Sequence, residues 1–309
     1  SKPAAWQKVS RYDERLARGE SIAVIQLQYD YACNMSCEHC SISDFRRAPG
    51  AASRRGLDPE DIRMLCNQAD AYGLAQIDLT GGEPLLFPDL EEVIAAIGPE
   101  RFYLMVDTNG WLMTPDKAKW LRSLGVDKVQ IGIDSMDPKS HDAFRKAPNA
   151  HFRALRAIDA VLDAGLTLQI STVITPERVH SDEFVRFLEF TQAKGAVVNS
   201  IWAKPTGEYA SRENLLVSER DEARRVELSE RFEHLTPPHV AAHFGRTLGC
   251  IAAKKIVSIT KYGDVMPCVW MYYSLGNIFD EPLADILARG MRYFGGKHNV
   301  CRTSNDPAF

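Results

Sequence analysis

Between residues 21 and 202, short apolar runs alternate with amphipathic stretches six times, and this alternation constrains the fold more than any other feature. The apolar runs are 21–29, 75–80, 102–107, 128–133, 166–173 and 196–202. The segments between them carry helix signals. One opens with Asp58-Pro59-Glu60-Asp61, an N-cap aspartate followed by proline at the first helical position, and stops at Gly73. Further helices are expected at 89–97, from Thr114-Pro115 to Gly125, at 151–164 before Gly165, and at 181–193 before Gly195. Six strand–helix units in series imply parallel strands with right-handed crossovers. Six is fewer than the eight units of a closed barrel, and periodicity alone does not separate an open barrel from a doubly wound sheet. In either fold the working residues collect at the C-terminal ends of the strands.

The first strand leads into Cys33-Asn34-Met35-Ser36-Cys37-Glu38-His39-Cys40. Three thiols spaced C-x3-C-x2-C let one short loop wrap a cubane iron–sulfur cluster, because thiolate is the ligand such clusters prefer. Three ligands leave the fourth iron open. Two other readings remain. A zinc site usually takes four closed ligands in two pairs. Disulfides fit poorly with seven cysteines, an odd count, and with no secretory signal in view. The second strand runs into Gly81-Gly82-Glu83-Pro84, the third into Thr108-Asn109-Gly110, and the fourth into Asp134-Ser135.

Composition narrows the class. Lys+Arg 37 against Asp+Glu 41 gives a net charge of −4, which argues against a broad nucleic-acid surface. No apolar run reaches the ~18 residues that suggest a membrane helix. Residues 4–18, with Trp6, Val9, Tyr12 and Leu16 at helical spacing, read as a helix capping the bottom or side of the barrel. This leader is too short for a separate peptide-binding domain. The expected setting is a reducing cytoplasm, with neither nucleic acid nor membrane as partner. Gln26, Gln28, Asp78, Asp107, Gln130, Gln169, Ser171 and Asn199 interrupt the strands, and they line either a structural interior network or a substrate site. Cys66, within the helix that starts at Asp58, reads as core filler.

The cysteine loop after the first strand and the GGEP loop after the second together resemble the radical S-adenosylmethionine (SAM) superfamily. His39 departs from the aromatic residue usual there, though its ring can pack in the same way. The resemblance implies an open (β/α)6 partial barrel of TIM-like kind over residues 21–205. It implies a [4Fe–4S] cluster on Cys33, Cys37 and Cys40, whose open iron SAM chelates. Gly81, Gly82 and Glu83, with Pro84 closing the motif, would receive the SAM amino group, the glycines allowing close backbone approach. Asp134 and Ser135 would bind the ribose or the carboxylate, and Arg145 the carboxylate. Thr172 and Ile201 would contact methionine and adenine.

Toward the C-terminus, Cys250, twelve residues, Gly263, four residues and Cys268 are followed by a helix at 282–290 and Cys301. The stretch 263–268 reads as a hairpin strand. This region resembles the SPASM/Twitch extension of the superfamily and implies a small α+β extension. The C-x2-C that relatives often carry is replaced by Cys301-Arg302-Thr303-Ser304, so the expectation is one auxiliary [4Fe–4S] cluster on Cys250, Cys268 and Cys301, completed by a non-cysteine or open ligand. Buried structural cysteines, or one thiol acting as hydrogen-atom donor, remain alternatives. The expected organisation is a helical extension at 1–20, the partial barrel at 21–205, a linker and helix at 206–240, and the auxiliary domain at 241–309. The chain stops at Phe309 without a cap or polar tail, which suggests that further residues follow.

The resemblance implies reductive cleavage of SAM to a 5′-deoxyadenosyl radical that abstracts a substrate hydrogen atom. The expected outcome is oxidation of a small polyfunctional scaffold of sugar or aminocyclitol type, with an electron donor such as flavodoxin or ferredoxin. A peptide-modifying maturase or epimerase is the second reading. A non-catalytic iron–sulfur or zinc protein is the reading from another class.

Overall fold

In the computed structural model the six apolar runs form six parallel strands lying side by side in chain order. They are β1 (Val24–Asp30), β2 (Gln76–Gly81), β3 (Tyr103–Thr108), β4 (Lys128–Gly132), β5 (Thr167–Ile174) and β6 (Val197–Trp202). The structure describes residues 2–47, 53–204, 209, 215–236, 249–296, 301 and 303. Side chains alternate across each strand. Ile25, Leu27, Ile77, Leu79, Leu104, Val106, Val129, Ile131 and Ile170 are fully buried among the apolar residues of the core. Five helices supply the outer layer: Pro59–Tyr72, Leu90–Ile97, Pro115–Ser123, Ala150–Asp163 and Asp182–Ala193. The first of these is fixed by a reciprocal cap. Asp58 accepts from the Asp61 backbone N–H at 2.9 Å, and Asp61 accepts from the Asp58 N–H at 3.1 Å. Cys66 is wholly buried in this helix, as core.

The sheet continues past β1. A short strand, β7 (Ile256–Ile259), lies parallel to β1 with Gln26 opposite Ser258. The strands β8 (Asp264–Met266) and β9 (Gly276–Asn277) then add antiparallel. The hairpin and the helix Leu283–Phe294 match expectation. The pairing of β7 with β1 does not follow from the sequence, because four residues are too few to carry a periodic signal. At the other edge, His234 accepts from the Val198 N–H at 2.8 Å and Thr236 donates to the Val198 carbonyl at 2.8 Å, so a short return segment covers β6. The helix before it, Glu219–Arg231, lies within the linker and helix expected at 206–240. Most of the expected linker, residues 205–208, 210–214 and 237–248, lies outside the described residues.

The leader is two helices, Pro3–Val9 and Tyr12–Ala17, and not the single helix expected over 4–18. It packs at the N-terminal ends of the strands. Lys2 donates to the carbonyls of Phe102 and Gly125, and the Tyr12 hydroxyl receives the Ala75 N–H. The opposite end of the barrel is left to the loops. Two helices there have no counterpart among the expected elements: Ser43–Arg47 and Pro138–Arg145.

The barrel interior is polar. Gln28 donates to Ser258 at 2.7 Å and accepts from the Tyr31 hydroxyl at 3.1 Å. Gln130 accepts from Gln169 and from Asn199, Lys128 donates to Gln169, and Gln76 donates to Asp78. These side chains thus satisfy one another, as burial requires, whereas Gln26 Oε1 and Asp107 Oδ1 meet no partner among the described residues.

Candidate active site

At the C-terminal end of the barrel the loop after β1 and the loop after β2 are laced together by backbone hydrogen bonds. The Gly82 N–H donates to the Asp30 carbonyl and the Glu83 N–H to the Ala32 carbonyl, each at 2.8 Å. The approach excludes side chains. A β-carbon on Gly81 would lie 2.2 Å from the Asp30 oxygen, and one on Gly82 2.0 Å from the Ala32 oxygen. Gly81 also adopts φ +129°, which L-residues rarely do. Both glycines are therefore demanded by the chain itself, whatever they also offer to a ligand.

Glu83 turns inward and is 1% exposed. Its carboxylate accepts from the Thr108 hydroxyl at 2.7 Å, the Asn109 N–H at 2.8 Å and the Leu85 N–H at 3.1 Å. Burial raises its pKa, and these donors oppose the rise. Asn109, fixed in turn, donates to Asn34 in the cysteine loop at 2.8 Å. Glu83 and the buried Pro84 lie outside the cavity lining, so Glu83 sits where it positions the end of β3. The tie between Asn34 and Asn109 was not anticipated. The Thr108-Asn109-Gly110 ending was its only trace in the sequence.

Cys33, Cys37 and Cys40 converge on one cavity of about 220 Å³, whose lining includes Gly81, Gly82, Asp107, Asn109, Gln130, Arg145 and Ser171. Cys33 and Cys37 pack with Met35, Trp111, Ala147 and Ala150, and Cys40 with Tyr31, Ile42 and Tyr262. No disulfide joins any of the seven cysteines. Burial pushes the Cys33 thiol up to about 11 and raises Cys37 as well, with Arg145 opposing the latter. Thiols in an apolar loop above a cavity suit an iron–sulfur group, whose positive charge would reverse that shift and hold them as thiolates. His39 stacks on Phe144 with ring centroids 4.7 Å apart and planes inclined by 10°, the packing expected of an aromatic residue at that position.

Arg145 pairs with Asp134, Nε to Oδ2 at 2.7 Å, and lies beside the Cys37 sulfur. Burial alone would raise Asp134, but Arg145 with His39, His141 and the Val173 N–H outweighs it and holds the carboxyl at about 2. A second cavity of about 160 Å³ adjoins the first, sharing His39, Ser41, Arg145 and Ser171. Asp134, Thr172 and Ile201 line it together with Lys204 and Trp270. The Thr172 hydroxyl accepts from Arg178 at 2.7 Å. Ser135 lines neither cavity; it bonds Glu183 at 3.3 Å and the Asp137 N–H at 3.1 Å.

The second thiol set lies behind this second cavity. Cys250, Cys268 and Cys301 are all buried. Lys204 Nζ donates to Cys301 Sγ at 3.4 Å, and the Trp270 backbone bonds Cys268. Burial pushes Cys268 up to about 12, and Cys301 and Cys250 add to the rise. Lys204 and Trp270 thus stand between the cavity and these thiols. Neither residue was anticipated, since nothing in sequence spacing links 204 to 301. Three buried free thiols fit a second iron–sulfur group as donor chemistry.

A family model for the radical SAM superfamily matches residues 30–190, and one for an iron–sulfur cluster-binding domain, SPASM, matches residues 250–303. The chain belongs to the radical SAM superfamily, whose members use a [4Fe–4S] cluster and SAM, and it carries the SPASM extension that holds auxiliary iron–sulfur clusters. Among its relatives is the AdoMet-dependent heme synthase of Nitratidesulfovibrio vulgaris, 28% identical over 284 residues that span 82% of this chain and 76% of the relative. The probable GTP 3′,8-cyclase of Methanosarcina acetivorans is 26% identical over 58% of this chain and 54% of its own length. These relatives are radical SAM enzymes, and this chain is enzymatic on the same grounds. The fold matches that of SuiB from Streptococcus suis bound to precursor peptide SuiA, with TM-score 0.68, 15% identity, and 91% and 69% of the two chains covered. Among the described residues no helix is long and apolar enough to cross a membrane.

Proposed function

We propose that this protein is a radical SAM oxidoreductase acting on a small hydroxyl- or amine-bearing scaffold of sugar or aminocyclitol type. One observation carries the reading: two cavities adjoin, the first lined by Cys33, Cys37 and Cys40 and the second by Lys204, which bonds Cys301. A [4Fe–4S] group with SAM on the first set supplies one-electron reductive cleavage of SAM and hydrogen-atom abstraction from an unactivated C–H bond, and a second group on the other set supplies a one-electron acceptor. The chain's own residues do the rest. Gly81 and Gly82 bring the two loops together, and Glu83 with Asn109 holds the rim. Arg145, paired with Asp134, spans the wall shared by the cavities and is the candidate partner of the SAM carboxylate. Thr172 and Ile201 are candidate contacts for methionine and adenine. Ser135 acts as a support for the loop after β4. An electron donor of flavodoxin or ferredoxin type and a cytoplasmic setting belong to the same proposal, as does the division at residues 21–205 and 241–309.

Oxidation removes one hydrogen atom to the SAM-derived radical, then one electron and one proton. The product is lighter than its substrate by two hydrogens, gains no carbon-bound deuterium in D2O, and forms with one deoxyadenosine per turnover. Deuterium at a single inverted carbon, without change in oxidation level, would show epimerisation instead. A peptide substrate is the second reading, favoured by the match to SuiB, whose structure holds a precursor peptide. Screening both substrate classes for substrate-dependent deoxyadenosine formation decides between them.

A further inference from the structure

The first cavity has a floor made of one polar side chain from each of five neighbouring strands: Gln28, Thr80, Asp107, Gln130 and Ser171. The two glutamines are engaged within the protein, Gln28 with Ser258 and Tyr31, and Gln130 with Gln169 and Asn199. Asp107 differs. Its Oδ1 is buried and meets no hydrogen-bond donor among the described residues. An acceptor left so costs about 1–3 kcal/mol, which a bound donor would recover.

The groups around Asp107 favour a particular guest. Asp78 from β2, Lys128 from β4, Glu83 from the neighbouring loop and the Thr80 hydroxyl lie near it. Burial, then Asp78, pushes the Asp107 carboxyl well above the ordinary carboxylate range, with Thr80 and Lys128 opposing. Lys128 is itself engaged by Gln169 at 3.1 Å. Three carboxyl groups thus gather around one corner of the floor. A carboxylate guest would add a further negative charge and offer no donor to Oδ1. A hydroxyl or ammonium group supplies the donor, and an ammonium also favours the ionised carboxylate over the neutral acid that burial and Asp78 promote.

We propose that Asp107 is a substrate-binding residue, accepting a hydrogen bond at Oδ1 from a hydroxyl or ammonium group, so that the cavity selects hydroxyl- and amine-bearing molecules and rejects carboxylates. This rests on the reading of the cavity as the reaction chamber and adds the residue that chooses what enters it.

The test uses full-length, anaerobically reconstituted protein loaded with SAM and titrated calorimetrically with methyl glucoside, glucosamine and glucuronate. Glucosamine should bind at least about tenfold tighter than glucuronate, the difference one charge-assisted hydrogen bond makes. Asp107→Leu should lose about tenfold in glucosamine affinity while keeping its iron and its SAM affinity. Should that variant fail to hold iron, Asp107→Asn replaces it and should bind glucosamine no better than methyl glucoside. Preference for glucuronate, binding of none of the three, unchanged binding in the variant, or a loss of SAM affinity on substitution each overturns the proposal. Deoxyadenosine formation by the wild type is scored separately. Its absence refutes the radical reading, whereas its presence with the wrong ranking refutes only the role of Asp107.

Discussion

A β-carbon placed on Gly82 would fall 2.0 Å from the carbonyl oxygen of Ala32, inside any permitted contact. The loop that carries Cys33 is therefore held against the loop after β2 by an approach only glycine allows. Gly82→Ala forces the two loops apart and breaks the bonds from Gly82 to Asp30 and from Glu83 to Ala32. The variant should fold, since the barrel core is untouched, but bind about four fewer irons per chain than the wild type. Iron analysis beside circular dichroism checks this. Full iron content in Gly82→Ala would show that the loops have room to spare.

Glu83 acts one step away from the cavity. Glu83→Ala frees Thr108 and the Asn109 N–H, and with them the tie from Asn109 to Asn34. SAM affinity should fall at least about tenfold while iron stays bound, the loss expected when hydrogen bonds to a buried charged group are removed. Glu83→Gln keeps one acceptor oxygen and should fall between. An unchanged SAM dissociation constant in Glu83→Ala would refute the role.

The βα alternation was legible because each strand is a short apolar run and several helices open on a capping side chain, as at Asp58 and Thr114. Strand and helix limits within the barrel fall within two residues of the sequence reading, except that β1 begins at Val24 and not at 21. What escaped was short or non-local. The strand Ile256–Ile259 has too few residues to show a period, and its partner β1 lies more than two hundred residues away. Lys204 meets Cys301 across 97 positions. Ser135 and Arg145 illustrate the limit for site residues. Both follow β4, yet Arg145 reaches the cavity from a helix end while Ser135 caps toward Glu183.

The pair Asp134–Arg145 predicts a pH dependence with a definite sign. The folded pKa of Asp134, about 2, lies below the ordinary aspartate value near 4, so the pair's contribution is fully present above about pH 4 and is lost as pH falls through 2. Arg145→Met leaves a buried carboxyl without its cation. It should cost about 3–5 kcal/mol at pH 7. In the variant Asp134 takes up a proton more readily, so the gap to wild type should narrow as pH is lowered from 7 to 5. Urea unfolding at both pH values measures it. A gap that widens on acidification would contradict the assignment.

The two thiol sets should load independently. Wild-type protein reconstituted without oxygen should hold about eight irons. Replacing Cys33, Cys37 and Cys40 by Ala should leave about four, and replacing Cys250, Cys268 and Cys301 should also leave about four. If the second triple variant loses no iron, the auxiliary group does not sit on those thiols.

Deoxyadenosine formation tests the central claim most directly, because it reports the chemistry assigned to the cavity beneath Cys33, Cys37 and Cys40. Reconstituted protein is mixed with SAM and a strong reductant, and methionine and 5′-deoxyadenosine are quantified. The wild type should form both in equal amounts. The variant lacking Cys33, Cys37 and Cys40 should form neither, and the variant lacking Cys250, Cys268 and Cys301 should retain part of the activity. Deoxyadenosine at the wild-type rate from the first variant, or none from fully iron-loaded wild type, would contradict the assignment of this site.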